Sequence, residues 1–345
     1  MFSNYALLAT IALEILIVAL LVAVLLVRRL MTYPFGVLAA RKRSKMIAYL
    51  MHCIEHDMVS DAIMQYRGCR SLRRLLSVLE DFDKKLKGEE WLVLRAALAR
   101  RYLFPKAKQL AYSIRWMQRN FAVRSLAMDP SEQEEKILLK LLEDPVFLIQ
   151  SKAAVALIES ESYLGVIKVI SKMSESGGYR RCFYRDALLR GSLRVFAWVI
   201  RVAMTDKDPK IHLAALEILS TRVIMDPLFF LQSDVISPDP AVRTMAIRTY
   251  ATNPHYASAD IFLEHIHDLE KEVRMEAIAG LYHFREPKVF AALKELLIGS
   301  EPQIAFIAAK TLKKMGEQGV DLLRERELNG NQESRLLTQY VLQFD

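Results

Sequence analysis

Downstream of residue 140 the apolar positions recur at a fixed step. Four segments align: DPKIHLAALEIL (208–219), DPAVRTMAIRTY (239–250), EKEVRMEAIAGL (270–281) and EPQIAFIAAKTL (301–312). A branched residue stands at Ile211, Val242, Val273 and Ile304, 31 residues apart each time. Four positions later comes Ala215, Ala246, Ala277 or Ala308, and four further on Leu219, Tyr250, Leu281 or Leu312. Positions 0, +4 and +8 share one face of an α-helix, so each segment predicts an amphipathic helix. The recurring alanine lets a neighbouring helix approach closely at mid-face. A further copy, DPVFLIQSKAAVAL (144–157), puts Ile149, Ala153 and Leu157 two steps before Ile211, and the copy due near Arg180 is degenerate. An acid followed by proline opens four of these five segments, predicting an N-cap and first turn. SADIFLEHIH (258–267) and KVFAALKELLIG (288–299) lie between them with one apolar stripe each. Each unit therefore reads as a helical hairpin that can bury its apolar face only against its neighbours.

The run Asp239-Pro240-Ala241-Val242-Arg243 with Ala246 resembles the second helix of a HEAT repeat. The step is similar to that of short bacterial HEAT-like, armadillo-type repeats, and the resemblance covers about residues 132–330. Arg243 and Arg274 match the motif's arginine, while His212 and Ala305 depart from it. The resemblance implies an all-α fold, a right-handed α-solenoid of HEAT-like hairpins, and a surface for binding macromolecules rather than a reaction. Residues 331–345, with ESRLLTQYVLQF, are expected as a capping helix. Residues 28–131 are helical by period, clearest in MIAYLMHCIEHDMVSDAIMQY, but carry no clean copy. They are expected as divergent hairpins continuing the array or as a small helical subdomain.

The N-terminus breaks this pattern. YALLATIALEILIVALLVAVLLV (5–27) holds one charge, Glu14, and 23 helical residues can cross a bilayer core. A secretory signal would need a basic start and a small-residue cleavage site after a shorter core, and neither is present. The expectation is a transmembrane helix over 5–27, preceded by a short non-cytoplasmic N-terminus, 1–4. No base precedes it, while Arg28, Arg29, Arg41, Lys42, Arg43 and Lys45 follow, so the rest of the chain should be cytoplasmic. These six also form a candidate membrane-surface cluster for anionic headgroups. Glu14 is a candidate intramembrane contact with a partner helix, beside small residues at Ala12, Ala19 and Ala23.

The net charge of +8 is unevenly spread. Residues 28–124 carry 21 Lys+Arg against 8 Asp+Glu, and 125–345 carry 27 against 31. A nucleic-acid-binding solenoid tethered at a membrane is thus the second reading, weakened because the clean repeats are acidic. Cys53, Cys69 and Cys182 are scattered without metal spacing and read as reduced thiols.

His52, Glu55 and His56 spell the ligand pattern of one class of zinc proteases. On a helical wheel both histidines point away from a stripe of Ile47, Met51, Ile54, Met58 and Ala62, and no third ligand is fixed nearby. A metal-dependent hydrolase is therefore the third reading, and no catalytic, cofactor or metal residue is assigned. No phosphate loop or nucleophile elbow occurs. In LLRGSLRVFAWVIRVAM, Arg190, Arg194 and Arg201 share one helical face with Trp198 among apolar residues. With Arg243 and Arg274 they are the candidate partner-binding residues, suited to an acidic partner. A solvated arginine face on a core helix would look the same. The leading expectation is a non-enzymatic scaffold on the membrane, inner or cytoplasmic if bacterial, without cofactor. It docks a membrane-associated protein, for example within an envelope, glycosyltransferase or transport complex.

Overall fold

The computed structural model describes the backbone of residues 2–55, 71–224, 231–298 and 301–344, and their side chains apart from 2–13 and 28–37. Every regular element among them is helical. The chain divides into two compact units, Met1–Lys152 and Ala153–Asp345.

The first unit holds α1 (Phe2–Glu55), α2 (Leu72–Asp83), α3 (Glu89–Leu98), α4 (Phe104–Leu110), α5 (Trp116–Leu126), α6 (Glu132–Leu141) and the start of α7 (Phe147–Glu159). The end of α1 packs on α2 and α3 through Met46, Leu50 and Cys53. The buried face is thus rotated from the expected stripe: Met51 is exposed, and Ile47 and Ile54 are half-buried. Met58 and Ala62 lie outside the described residues. Burial pushes the Cys53 thiol up, against a hydrogen bond from Tyr49. Leu75, Leu79 and Phe82 of α2 are buried, and the Trp91 ring of α3 stands edge-on to Phe82 at 5.4 Å between centroids. Between α3 and α4 the helix widens to a π-turn over Ala99–Leu103. Pro105 follows it, with no N–H to give back to the preceding turn.

The second unit is a series of hairpins: α8 (Tyr163–Glu175) with α9 (Gly178–Leu189), α10 (Leu193–Thr205) with α11 (Pro209–Leu219), and α12 (Leu231–Asp234) with α13 (Pro240–Thr252). Then come α14 (Ala259–His265) with α15 (Lys271–Gly280), α16 (Pro287–Leu296) with α17 (Pro302–Lys314), and α18 (Glu317–Asn329) with α19 (Gln332–Phe344). The second helices of successive hairpins touch, α9 on α11, α11 on α13, α13 on α15, α15 on α17 and α17 on α19. Ala215, Ala246, Ala277 and Ala308 sit fully buried along those contacts. Two glycines permit still closer approach. A Cβ on Gly280 would strike the Phe262 ring, and one on Gly319 would strike the Leu312 carbonyl.

The repeat reaches further than its sequence pattern. The degenerate slot is filled by α9, with Tyr184 and Leu188 buried at +4 and +8 and Arg180 exposed. One step before Ile149, α5 places Gln118, Ala122 and Leu126 in the same register, with Ala122 and Leu126 fully buried. Residues 28–131 therefore do contain a copy, hidden because a polar glutamine stands at its first position.

Asp208 and Asp239 cap α11 and α13 by accepting hydrogen bonds from the Lys210 and Ala241 amides, both at 2.9 Å. Glu301 does not cap α17; its longer side chain reaches Lys271 at 3.0 Å and Arg274 at 2.8 Å. The terminal α19 buries Ser334, Thr338 and Val341 and exposes Leu336, Tyr340 and Phe344. Its outer face mixes those last three with exposed Gln332, Glu333, Arg335, Gln339 and Gln343.

Among the residues whose side chains are described, no helix is long and apolar enough to cross a membrane. The expected span, 5–27, has its first nine residues outside them. From Glu14 to Val27 every side chain of α1 is exposed, Ile15, Leu16 and Leu20 among them.

Candidate functional site

The basic stripe expected from the sequence does not lie on one helix. α9 ends at Leu189, Gly191 turns the chain, and Ser192 caps α10 by accepting from the Val195 amide at 3.4 Å. Arg190 therefore belongs to the turn, while Arg194 and Arg201 sit on α10. In the matching turn one hairpin earlier, Ser162 caps α8 through the Gly165 amide at 2.9 Å. Glu161 before it adopts a left-handed backbone, φ 55°. A non-glycine residue there carries strain that its surroundings must hold.

What holds it is Trp198, whose Nε1 donates to the Glu161 carbonyl at 3.2 Å. The Trp198 ring lies 4.9 Å from that of Tyr163, and the Arg201 guanidinium stands 5.2 Å from the Tyr163 centroid and 5.9 Å from that of Trp198. Arg194 reaches the Glu161 carboxylate at 3.6 Å. A cavity of about 440 Å³ opens beside this cluster, lined by Val155, Ile158, Phe183, Glu159, Glu161 and Asp186 with Arg190. Its charged lining is three acids against one base. The single helical face expected for Arg190, Arg194 and Arg201 is thus corrected: all three are exposed, but Arg194 lies near Glu161, Arg201 over aromatic faces, and Arg190 in the turn beside the cavity. A second groove, of about 550 Å³ between α13 and α15, is lined by Met245, Met275, Arg248, Glu270, Glu272 and Glu276, with Arg248 and Glu276 paired.

Arg243 and Arg274 are likewise committed within the fold. Arg243 donates twice to Asp268, at 2.9 and 2.8 Å, and to the Ser237 and Pro238 carbonyls at 2.7 and 3.2 Å. Burial acts to raise Asp268, but the Arg243 and Glu270-amide hydrogen bonds outweigh it and hold the carboxyl below the usual aspartate range. Arg274 donates to the Asp268 and Leu269 carbonyls at 2.8 and 3.0 Å and to Glu301 at 2.8 Å. Sequence reasoning missed the partner of this device in the first unit. Arg119 donates to Asp144 at 2.5 and 3.1 Å and to the Ser113 and Ile114 carbonyls, both at 2.8 Å. The signal was present, since Arg119–Asp144 and Arg243–Asp268 share a spacing of 25 residues. His212 takes the arginine's place at one joint, between the Ala203 carbonyl at 2.9 Å and Asp234 at 3.1 Å. Its bond to Asp234 raises its pKa against the opposing effect of burial.

His52 and Glu55 are exposed on α1, and His56 lies outside the described residues. Among the described residues no three His, Cys, Asp or Glu side chains gather where a metal ion could sit. His265 is buried, its ring nitrogens 2.8 Å from the Ile261 and Val235 carbonyls, while His267 faces outward. Of the expected membrane-surface cluster, Arg41, Lys42 and Lys45 are exposed, Arg43 pairs with Asp81, and the Arg28 and Arg29 side chains lie outside the described residues. Glu14 is exposed.

Residues 230–313 match the family model of HEAT repeats. That stretch is similar to HEAT repeats. No curated protein matches the chain. Among solved structures it is similar to YibA of E. coli, at 15% identity over 75% of this chain and 99% of that one, TM-score 0.37. It is also similar to Kap121p bound to Pho4p (10% identity, 86% of this chain, 43% of that one, TM-score 0.41). A third is human deoxyhypusine hydroxylase in complex with glycerol (12%, 69% and 94%, TM-score 0.28). These low scores carry no weight for function.

Proposed function

We propose that this protein is a single-pass, membrane-tethered helical-repeat scaffold that holds a protein partner at the cytoplasmic face of a membrane, the inner membrane in a bacterium. The observation that carries the reading is α1. Its described apolar residues, Ile15 to Val27, are exposed all round, and the same helix continues to Met46, Leu50 and Cys53 in the first unit's core. An unbroken helix with an apolar run at one end and a folded body at the other is built as a tether. The grooves at Glu161 and Met245 support docking of a partner that offers basic and apolar side chains. Methionine and aromatic walls adapt to such groups while carboxylates orient the charge. Tethering raises local concentration, so a modest interface suffices.

Cys182 gives a direct test, since its thiol is exposed. In intact cells a membrane-impermeant maleimide should label Cys182 only after permeabilisation, and the protein should resist carbonate extraction. Extraction into the soluble fraction would end the tether reading. Crosslinking in intact membranes should trap one protein species, lost when Glu159, Glu161 and Asp186 are neutralised; no trapped species would end the scaffold reading.

A further inference from the structure

Two turns of the molecule are built alike and charged oppositely. In the α4–α5 turn Ile114 is 98% exposed, and in the α14–α15 turn Leu269 is 95% exposed. Each stands four residues before the first position of its repeat, and each has its carbonyl held by an arginine, Arg119 or Arg274. These apolar tips are therefore fixed in place by arginine hydrogen bonds to their own carbonyls rather than thrown out by a loose loop. At the first, the Ser113 hydroxyl adds a bond from the Arg115 amide at 3.2 Å and another to Gln118.

The surroundings separate them. Leu269 lies between Asp268 and Glu270, with exposed Glu264 and Glu272 close along the chain. Around Ile114 the exposed side chains are Tyr112, Trp116 and Met117, with Arg115 between them. Lys140 stands 4.5 Å above the Tyr112 ring, and Arg73 and Lys106 line a groove of about 430 Å³ with Met117. Of the two acids in the adjoining turn, Asp144 is bound by Arg119, and Glu143 is exposed. A held aliphatic and aromatic tip flanked by Arg73, Lys106, Arg115 and Lys140 matches the chemistry of an anionic bilayer surface. Tryptophan and tyrosine settle at the headgroup level, and lysine and arginine draw on the surface potential.

We propose that the α4–α5 turn is a second membrane contact, seating Ile114, Trp116 and Met117 among the headgroups of an anionic leaflet. The inference rests on the tether reading for its geometry. From Val27 to Met46 helix α1 rises about 28 Å, the greatest distance it can set between the end of the apolar run and the first unit's core.

The test uses the full chain with Cys69 and Cys182 replaced by serine, carrying an environment-sensitive fluorophore at Ile114→Cys or, as the matched control, at Leu269→Cys. The protein is reconstituted into phosphatidylglycerol or phosphatidylcholine vesicles doped with a headgroup nitroxide quencher. Quenching at 114 should exceed that at 269 several-fold in phosphatidylglycerol. It should fall toward the control on raising salt or in an Arg115→Glu, Lys140→Glu variant. Equal quenching at the two positions, or quenching indifferent to lipid charge, overturns the proposal. So does protection of 114 seen in native membranes but absent from protein-free lipid, which would mean a protein covers it. The tether is scored separately, by flotation with phosphatidylcholine vesicles. Flotation with quenching equal at both positions leaves the tether and removes the second contact; strong quenching at 114 on phosphatidylglycerol without flotation on phosphatidylcholine does the reverse.

Discussion

Arg119–Asp144 in the first unit and Arg243–Asp268 in the second are the same joint. Each has a guanidinium forked onto a carboxylate 25 residues away and bound to two turn carbonyls. Around that joint the two units differ in almost everything a partner would meet. The segment leading into the first joint is strongly basic, and the residues beyond it are acidic on balance. The lesson is that packing and recognition are written in different positions. Small residues at +4 and the arginine staple set how hairpins stack, and they are satisfied internally. The turn tips and groove walls are free to carry charge of either sign, and there the units part.

The sharpest way to break the comparison is to overfill the shared packing position. Ala122→Leu and Ala246→Leu each put a larger side chain where the alanine is fully buried, and each should cost about 1–3 kcal/mol. Urea denaturation of the detergent-solubilised protein, followed by circular dichroism, reads both. If Ala122→Leu is tolerated while Ala246→Leu is not, the first unit does not share the register.

Cutting the staple comes next. Arg119→Met and Arg243→Met strand a mostly buried aspartate, and each should lose about 2–3 kcal/mol. Hydrogen exchange should quicken in the amides around residues 113–115 in one case and 237–239 in the other. Unchanged exchange would mean the arginines do not hold the turns.

Acidity then separates joints that look alike. His212 has a folded pKa raised above its ordinary value of 6.5 by Asp234. Its protonated form is the one the fold favours, so this contribution is full below 6.5 and is lost as pH rises through the raised pKa. Asp268 runs the other way. Its lowered pKa adds stability above the ordinary aspartate value of 3.8, which is lost as pH falls through the depressed one. His212→Arg should flatten the neutral-to-alkaline decline in melting temperature and leave the acid limb untouched. An unaltered decline would place the titrating group elsewhere. The smallest effect is expected at Arg201. Removing its exposed cation–π contact with Tyr163 and Trp198 should change stability by only about 0.5–1 kcal/mol. The same Arg201→Ala variant should measurably alter partner capture if the Glu161 cluster is a docking site. Crosslinking yield decides between those outcomes.

By itself the chain determined the helical hairpins, because periodicity on a helix face is a local property. Ile149, Ala153 and Leu157, and the matching triads from Val242 to Leu312, are buried as their spacing requires. The acid-to-base asymmetry and the apolar run at 5–27 are equally plain in one dimension. The folded chain alone decided which charges stay available. Arg190, Arg194 and Arg201 share a face only on a continuous helix, and the Gly191–Ser192 turn breaks it. Arg243 looks like a surface base until Asp268 is brought beside it. Burial and ion pairing depend on residues distant in sequence, so a wheel drawn for one segment cannot count them. That is also why Gln118 hid a repeat whose alanine and leucine pack like the rest, and why α1 turned Cys53 rather than Met51 toward the core.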